Sequence, residues 1–564
     1  MIVSVCALQY GCVNVPPTAD LDLSESSVSV IEQPLAKPLD AETVYDYLLA
    51  DIAARRGEVD ASLAAVARLA SRTRDLPLVV RAFRLALHVQ DGATAEQMAE
   101  LLSEIQTDPL RSSFAVIQAY MIQDKADQVV ALISQLLKDY PTDRTTIFGN
   151  IAEVYISQEH PEDFVDDLNL LIAEFPTESR AYYAMAFLAN RIKDSELLGK
   201  SINRALQLDP HWQQAAQVKF NWLVDVGKIE DATKFAKNFL TSHADANGLR
   251  EGYARQLATQ GQLAEAYQQF REFLLQEPDN EDVSLSHALI GIELERYSRS
   301  RRTLLSLLKL HPENDQLRIY LGQLELRRSR SEEAIYWFSE VRDDALFFDA
   351  QIQIATAVAN LEGSEAALDF LSELIPLTTN EQVSLYLTRE GFLRDLGDLE
   401  IVLELLDAAI QDIPDNGKLL YSRAILFAEL DQIAQHEADM RRVIELDPDN
   451  AHAFNALGYT LADQTTRYDE ALELILRALE LSPNDPFILD SMGWIHFRLG
   501  QLERAEKFLR QAHNVRTDAE IAAHLGEVLW QRGAKEEAEL IWQSGVSLEP
   551  ENKTLLETME RLRK

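Results

Sequence analysis

Residues 451–485 carry the pattern that most constrains what this chain can fold into. Apolar side chains recur there three, four or seven residues apart, and the spacing returns after a polar turn, at Phe454, Leu457, Leu461, Ala471, Leu474, Ile475 and Ala478. This spacing is typical of amphipathic helices. Pro483 follows the second run, and proline lacks the amide hydrogen that a continuing helix needs. The stretch therefore predicts two helices joined by a turn.

Small residues at fixed places predict how the two helices pack. Gly458 allows two backbones to approach closely, and Ala471 and Ala478 keep the second helix thin at the crossing. The same order returns twice downstream, first at Leu489, Met492, Gly493, Gly500, Ala505, Leu509 and Ala512, then at Ala522, Leu525, Gly526, Gly533, Ala538, Trp542, Gly545 and Pro550. This order resembles the tetratricopeptide repeat, whose period is about 34 residues. The resemblance implies an all-α fold, a right-handed superhelical solenoid of stacked helical hairpins.

Prolines keep the same rhythm upstream. Their separations are close to multiples of about 34 residues, at Pro141, Pro176, Pro210, Pro278, Pro312, Pro414, Pro448, Pro483 and Pro550. We therefore expect about 14 or 15 helical hairpins, of which about ten match the repeat well. One extra residue between Leu461 and Ala471 predicts a longer turn in that hairpin.

The regularity of the pattern divides the chain into six segments. We expect a lipoprotein signal remnant at 1–12, a disordered tether at 13–39, divergent helical repeats at 40–145, tetratricopeptide-like repeats at 146–382, a well-matched array at 383–550 and a C-terminal capping helix at 551–564. The tether prediction follows from several prolines among polar residues without a helical period. The capping prediction follows because a repeat array needs a solvated end.

The N-terminal residues 1–12 are mostly apolar and contain the chain's two cysteines. Gly11 before Cys12 resembles the end of a bacterial lipoprotein signal, which implies that Cys12 is lipidated. No Lys or Arg precedes the apolar run, and Gln9 and Tyr10 stand where that motif prefers Leu and a small residue. An apolar N-terminus with two incidental cysteines is the open alternative.

Composition excludes several classes of function. The chain has 53 Lys and Arg against 92 Asp and Glu, a net charge of -39, which argues against binding nucleic acid or anionic lipid through the body. The charge either keeps a long solenoid soluble or selects a basic partner. Two cysteines cannot build a disulfide framework or a cysteine-rich zinc site. A phosphate-binding loop, a nucleophile elbow and a zinc-protease motif are all missing, so we expect no enzyme, no cofactor and no metal.

The resemblance also implies where a partner would bind, because the first helix of each hairpin lines the inner face in this family. Carried onto the three best-matching hairpins, the inner positions are His452, Asn455, Tyr459, Ala462, Asp463, Phe487, Asp490, Trp494, Phe497, Arg498, Glu520, Ala523, Glu527, Trp530 and Gln531. Aromatic residues are enriched at binding hot spots. Trp494, Phe497 and Trp530 therefore contact either a partner or the adjoining repeat, and the sequence leaves both alternatives open.

The combined plan of lipid signal, tether and long acidic solenoid resembles outer-membrane repeat lipoproteins that serve as adaptors for carboxyl-terminal processing proteases. The resemblance implies a periplasmic, non-catalytic adaptor that binds such a protease and presents cell-wall hydrolases to it. It implies no nucleic-acid partner and membrane contact only through the N-terminal lipid. The alternatives are a scaffold for a polysaccharide-export or secretion complex, a cytosolic interaction scaffold and, least favoured, the regulatory arm of a glycosyltransferase. Homo-oligomerisation also stays open.

Overall fold

The chain forms two helical units in the computed structural model, which describes residues 40–106, 108–158 and 160–564. The division falls between Arg296 and Tyr297. Every regular element in the described part of the chain is a helix, and no strand occurs there. The all-α architecture of stacked hairpins is therefore confirmed within each unit.

The N-terminal predictions fall on residues outside this description. They are the signal remnant at 1–12 with its Cys12, and the tether at 13–39. The predicted borders near 145 and 382 concern the regularity of the sequence and stay predictions, since the two units meet at a different place.

The first unit consists of seven consecutive hairpins followed by one further helix. Its helices are α1 (Ala41–Arg56), α2 (Val59–Thr73), α3 (Leu76–His88), α4 (Gly92–Ile105), α5 (Pro109–Met121), α6 (Ala126–Asp139), α7 (Arg144–Ile156), α8 (Val165–Glu174), α9 (Ser179–Arg191), α10 (Ser195–Leu208), α11 (Gln213–Asp225), α12 (Ile229–Ser242), α13 (Asn247–Thr259), α14 (Leu263–Gln276) and α15 (Glu281–Glu293). A short 3-10 helix, Pro161–Phe164, precedes α8.

The second unit begins with one helix, continues with seven hairpins and ends with a single helix. Its helices are α16 (Tyr297–Leu310), α17 (Asp315–Arg327), α18 (Ser331–Ser339), α19 (Asp344–Glu362), α20 (Ser364–Ser372), α21 (Thr379–Asp395), α22 (Leu399–Asp412), α23 (Gly417–Glu429), α24 (Ile433–Leu446), α25 (Ala451–Gln464), α26 (Tyr468–Leu481), α27 (Pro486–Arg498), α28 (Leu502–Val515), α29 (Ala519–Gln531), α30 (Lys535–Leu548) and α31 (Lys553–Arg563).

The proline rhythm marks the ends of second helices. Each of the nine prolines that keep the period lies two residues after such a helix, as Pro448 does after Leu446 and Pro483 after Leu481. Proline cannot donate the backbone hydrogen bond that would extend the helix. This part of the sequence analysis is confirmed by the helix bounds.

The turns inside the hairpins need a left-handed residue. Gly500 has φ 74° between α27 and α28, and Gly533 has φ 87° between α29 and α30. Asp431 takes the same conformation with φ 57° between α23 and α24. Glycine has no Cβ to clash in this region, and Asp and Asn tolerate it better than most residues. The hairpin turn therefore requires the left-handed conformation, and a Gly or Asp residue lowers the free-energy cost of adopting it.

The extra residue in the hairpin α25–α26 lengthens a helix. α25 has 14 residues, whereas the equivalent helices α27 and α29 have 13 each. The turn after α25 is as short as the turn after α27. The prediction of a longer turn was therefore wrong, because one more residue can continue the helical hydrogen bonds at no cost to the turn.

Apolar side chains from both helices of a hairpin, and from the next first helix, form the core. In the last hairpin, Trp542 is fully buried and packs against Gly526, where an added Cβ would overlap the indole ring. Gly322 is equally close to Phe338, and Gly493 to Leu509. The repeat glycine therefore makes room for a large side chain of the second helix.

The end of the second unit is covered by α31. Leu555 and Met559 are buried against α29 and α30. Arg561 is exposed, and its guanidinium donates two hydrogen bonds to a buried carboxylate, Glu527. A long side chain on an exposed face can reach a neighbouring helix in this way, because helical periodicity places its Cα and not its end. Over the described part of the chain, no helix is both long and apolar enough to cross a bilayer.

Candidate partner-binding surface

The predicted inner positions lie on three successive first helices that pack side by side, α25, α27 and α29. A polar side chain caps the start of each one. Asn450 accepts from the amide of Ala453, Asp485 from those of two residues in the first turn of α27, and Asp518 from that of Glu520. Such caps satisfy amides that have no partner within the helix. They fix the start of each helix, and so the register of the inner side chains.

A buried ion pair joins α27 to α29. His524 Nδ1 lies 2.8 Å from Asp490 Oδ2, and the two residues are 3% and 5% exposed. Burial alone would lower the pKa of His524, but the negative charges of Asp490, Glu520 and Asp463 outweigh it and raise this pKa to about 9. The imidazole is therefore protonated at neutral pH and donates to Asp490.

The Trp494 indole is sandwiched between two other rings. It stacks on His524 with centroids 4.2 Å apart and on Phe497 with centroids 4.9 Å apart. Trp494 is only 8% exposed, and its Nε1 donates to Asp463 Oδ1 over 3.1 Å. Of the two alternatives for this ring, the structure therefore shows packing against the adjoining repeats.

Asp463, at the end of α25, connects to the end of α27. Arg498 donates to the Asp463 backbone oxygen over 2.6 Å and to its carboxylate over 3.2 Å. The guanidinium also lies 3.3 Å from the hydroxyl of Tyr468. The carboxylate thus accepts from both an indole and a guanidinium, which holds the ends of the two first helices together.

Tyr459 spans from α25 to α29 across α27. Its hydroxyl lies 3.3 Å from Glu520 Oε1. Burial first, and then the charge of Glu520, raises the pKa of Tyr459 well above its usual value. The pKa of Glu520 is also raised. Burial is the largest cause, the charge of His524 lowers this pKa, and the charge of Asp490 raises it. This contact joins Tyr459 and Glu520 to the polar cluster that contains Asp490 and His524.

Glu527 continues the surface towards the C-terminal helix. It is 3% exposed and accepts two hydrogen bonds from Arg561 of α31, over 2.9 and 2.6 Å. Trp530 is half-buried, with its ring 5.4 Å from that of Trp542 and with the ammonium of Lys535 over it. The end of α29 therefore presents the half-buried Trp530 ring beside Glu527, a buried carboxylate that is paired with Arg561.

The remaining predicted positions differ in exposure. His452 is exposed and Phe487 is 41% exposed, with the guanidinium of Arg516 5.3 Å from the Phe487 ring. Asn455 is half-buried, and within the described chain its Oδ1 has no hydrogen-bond partner. Ala462 and Ala523 are buried, so they support packing. The predicted set therefore divides into a buried polar cluster and an exposed rim.

Two residues that organise the surface were missed by the sequence analysis, His524 and Arg561. Both bind a carboxylate 34 residues earlier in the chain, Asp490 and Glu527 respectively. A base that follows an acid by one repeat period is a signal that the sequence offers. The inner positions of a single repeat do not reveal this signal, because the acid and the base lie in different repeats.

The arrangement suits binding better than bond chemistry. The carboxylates of Asp463, Asp490 and Glu527 are each held by a basic or indole donor, so their positions are fixed. Groups fixed in this way lose little freedom when a partner binds. The described ranges contain no group of three or more side chains that could hold a metal ion.

Comparison with known protein families identifies the repeats. Residues 285–345 and 421–486 match one tetratricopeptide-repeat model, and residues 488–515 match another. A TPR repeat-containing protein of Pseudomonas aeruginosa is 39% identical over 213 residues, which are 38% of this chain and 36% of that relative. The chain therefore matches about a third of that relative's length.

Two further similarities have lower sequence identity. The mitochondrial import receptor subunit TOM70 of Rattus norvegicus is 28% identical over 109 residues, 19% of this chain and 18% of the receptor subunit. The crystal structure of the APC/C hetero-tetramer Cut9-Hcn1 covers 79% of this chain and 95% of its own, with 15% identity and a TM-score of 0.32. The helix bounds show a helical-repeat protein, and residues 285–345, 421–486 and 488–515 of it match tetratricopeptide-repeat models.

Proposed function

We propose that this protein is a non-catalytic scaffold that binds other proteins through the inner face of its C-terminal repeats. The observation that carries the proposal is the fixed cluster of Asp463, Asp490, Trp494 and His524 on three adjacent first helices. Around it lie the exposed rim residues His452 and Phe487 and the half-buried Trp530. Aromatic residues are enriched in protein interfaces, and Phe487 and Trp530 offer accessible aromatic surface beside this fixed cluster.

The finer proposal is an adaptor role at the bacterial cell envelope. We propose that Cys12 is lipidated, that the protein faces the periplasm from the outer membrane, and that it binds a carboxyl-terminal processing protease and its cell-wall hydrolase substrates. Binding both would raise their local concentration and so speed degradation. Support for this finer proposal comes from the sequence plan. The similarity to the Pseudomonas repeat protein supports only the repeats.

The binding surface is tested by capture from envelope extract. The variant Phe487→Ala/Trp530→Ala changes the accessible rim, whereas Leu476→Ala removes an exposed apolar side chain from the outer helix α26 and serves as the matched control. We expect the rim variant to lose about tenfold in affinity for the retained protease, with its melting temperature nearly unchanged. Equal capture by both variants would exclude this surface.

The location is tested separately by membrane fractionation of native protein and Cys12→Ser. If the native form alone follows the outer membrane, the adaptor role is supported. If both forms stay in the cytosol, the envelope role fails and the scaffold proposal must be tested on an intracellular complex.

A further inference from the structure

The first unit contains an open cavity of about 460 Å³ between its second helices α10 and α12, with α11 beneath it. Its walls are formed by the apolar side chains of Leu206, Phe235 and Phe239, and by a proline. The complete lining is Asn203, Leu206, Gln207, Pro210, Lys219, Phe235 and Phe239. It is remote in the chain from the surface on α25, α27 and α29, and the two can be tested independently.

Lys219 is the one charged residue of this lining, and its ammonium is not neutralised. It lies 4.7 Å from the centre of the Phe235 ring, and the residue is half-buried. Among the residues that the structure describes, it makes neither an ion pair nor a hydrogen bond, although the chain has 92 acidic residues against 53 basic ones. By contrast, Lys237 on the same helix as Phe235 pairs with Glu265 over 3.0 Å.

The surroundings of Lys219 favour an anion from outside the chain. Burial lowers the pKa of its ammonium, and no neighbouring carboxylate opposes this. A half-buried charge without a counter-ion is costly, and an entering anion would recover that cost. The Oε1 of Gln207 accepts a hydrogen bond from Arg204 over 3.2 Å. The NH₂ group of Gln207 is therefore left to donate to an anion.

A histidine pair adds a second basic group beside the apolar wall. His243 stacks on Phe239 with centroids 4.2 Å apart. Its Nδ1 lies 3.1 Å from the backbone oxygen of Phe239, and its Nε2 lies 2.8 Å from Nδ1 of His211. If Nδ1 of His243 donates to that oxygen, Nδ1 of His211 donates to Nε2 of His243.

We propose that this cavity binds a carboxylate carried on an apolar group. The ammonium of Lys219 pairs with the carboxylate, Gln207 donates a second hydrogen bond, and the rings of Phe235 and Phe239 cover the apolar part. The same chemistry is presented by a free fatty acid and by the terminal carboxylate of a peptide that ends in an apolar residue. This site goes beyond the proposed scaffold function and does not depend on it.

The first test measures binding to the full chain by titration calorimetry. The probes are octanoate and the peptide acetyl-Ala-Ala-Leu, the latter with a free carboxylate and as its amide. We expect Lys219→Gln to weaken binding of the carboxylate probe about tenfold, which is one lost ion pair, and Lys219→Arg to stay within about threefold of the native protein. Lys234→Gln, an exposed lysine on the same helix as Phe235, makes the same charge change and should bind normally.

A second test needs no variant. The native protein is treated at pH 8 with an amine-acylating reagent, and the modified lysines are mapped by mass spectrometry. We expect the carboxylate probe to protect Lys219 and not Lys234. Binding of octanoate alone assigns the site to free fatty acids, and binding of the peptide alone assigns it to a chain terminus. Absence of protection by both probes, or equal binding of the acid and the amide, would overturn the proposal.

Discussion

Single residues in the second unit show how charge is stabilised at a distance of one repeat. Asp490 and His524 occupy adjacent first helices and pair within the core, with Trp494 stacked on the imidazole. Glu527 and Arg561 repeat this relation one hairpin further on. In both pairs a buried carboxylate is paired with a base one repeat period later, which ties neighbouring repeats together.

The pair of His524 and Asp490 predicts a specific pH dependence of stability. The pKa of His524 is raised from 6.5 to about 9, so the folded state favours its protonated form. Its contribution is fully present below pH 6.5 and is lost as the pH rises through 9. The loss should amount to about 1–3 kcal/mol. Urea unfolding followed by tryptophan fluorescence at pH 6, 7.5 and 9.5 measures it.

The control for this prediction is His524→Gln, which cannot titrate. Asp490, Glu520 and Asp463 are the acidic groups whose charges act on the imidazole, and all three are kept in the variant. The variant should be less stable at pH 6 and should lose less stability between pH 6.5 and 9 than the native protein. Parallel curves for the two proteins would contradict the assignment.

The repeat glycines give a second prediction at the residue scale. An added Cβ at Gly526 would overlap the fully buried Trp542 ring, which cannot move away. Gly526→Ala should therefore destabilise the last hairpin by about 1–3 kcal/mol. Gly391→Ala places the same methyl group on the exposed side of α21, where no heavy atom lies within 4 Å, and should stabilise by about 0.5–1 kcal/mol. Thermal unfolding of both variants measures the two changes in stability. Equal changes for Gly526→Ala and Gly391→Ala would refute the packing role of Gly526.

At the scale of elements, each helix is stabilised at its ends by its own residues and along its length by its neighbours. Prolines mark where second helices stop, and Asn or Asp side chains cap many first helices. α31 is a single helix that packs against both α29 and α30. It covers the last hairpin with Leu555 and Met559, and it supplies the guanidinium that satisfies Glu527.

The contact between α31 and α29 predicts strong coupling. Arg561→Ala would leave the Glu527 carboxylate buried without its two hydrogen bonds, and we expect a loss of about 1–3 kcal/mol. Adding Glu527→Gln to Arg561→Ala should restore much of this loss, because a neutral amide is cheaper to bury than a charge. Denaturant unfolding of the two single variants and the double variant measures the coupling, and simple additivity would contradict it.

At the scale of the whole molecule, the chain forms two compact units. Each contains buried apolar clusters, such as one from Ala216 to Ile290 in the first unit and one from Ile319 to Ala357 in the second. In repeat arrays, stability comes from each repeat and its nearest neighbours. A unit with complete internal contacts should therefore fold alone.

This leads to a prediction for the fragment 297–564. We expect it to be helical and to unfold cooperatively, and the fluorescence of Trp494 should report the same packed environment as in the full chain, since Phe497 and His524 lie in the same unit. Circular dichroism and urea unfolding test this. A fragment without cooperative unfolding would show that the second unit depends on the first.

The sequence by itself determined the hairpins, their ends and their close contacts. Apolar periodicity, the proline rhythm and the repeat glycines act within one hairpin, so local spacing is enough to predict them. It could also predict which residues share the inner helices. It could not predict that Trp494 is covered while Phe487 is accessible, because that depends on which side chain of the next repeat reaches the ring.

Only the tertiary structure decided which charged side chains pair with each other and which lack a counter-ion. It brought His524 to Asp490 and the guanidinium of Arg561 to Glu527, and it left Lys219 over an aromatic ring without a counter-ion. These outcomes depend on how far long side chains reach across stacked helices and on which charges lose water there. A repeat pattern fixes the stacking of the helices, whereas the electrostatic partners of each side chain are fixed only when the repeats pack together.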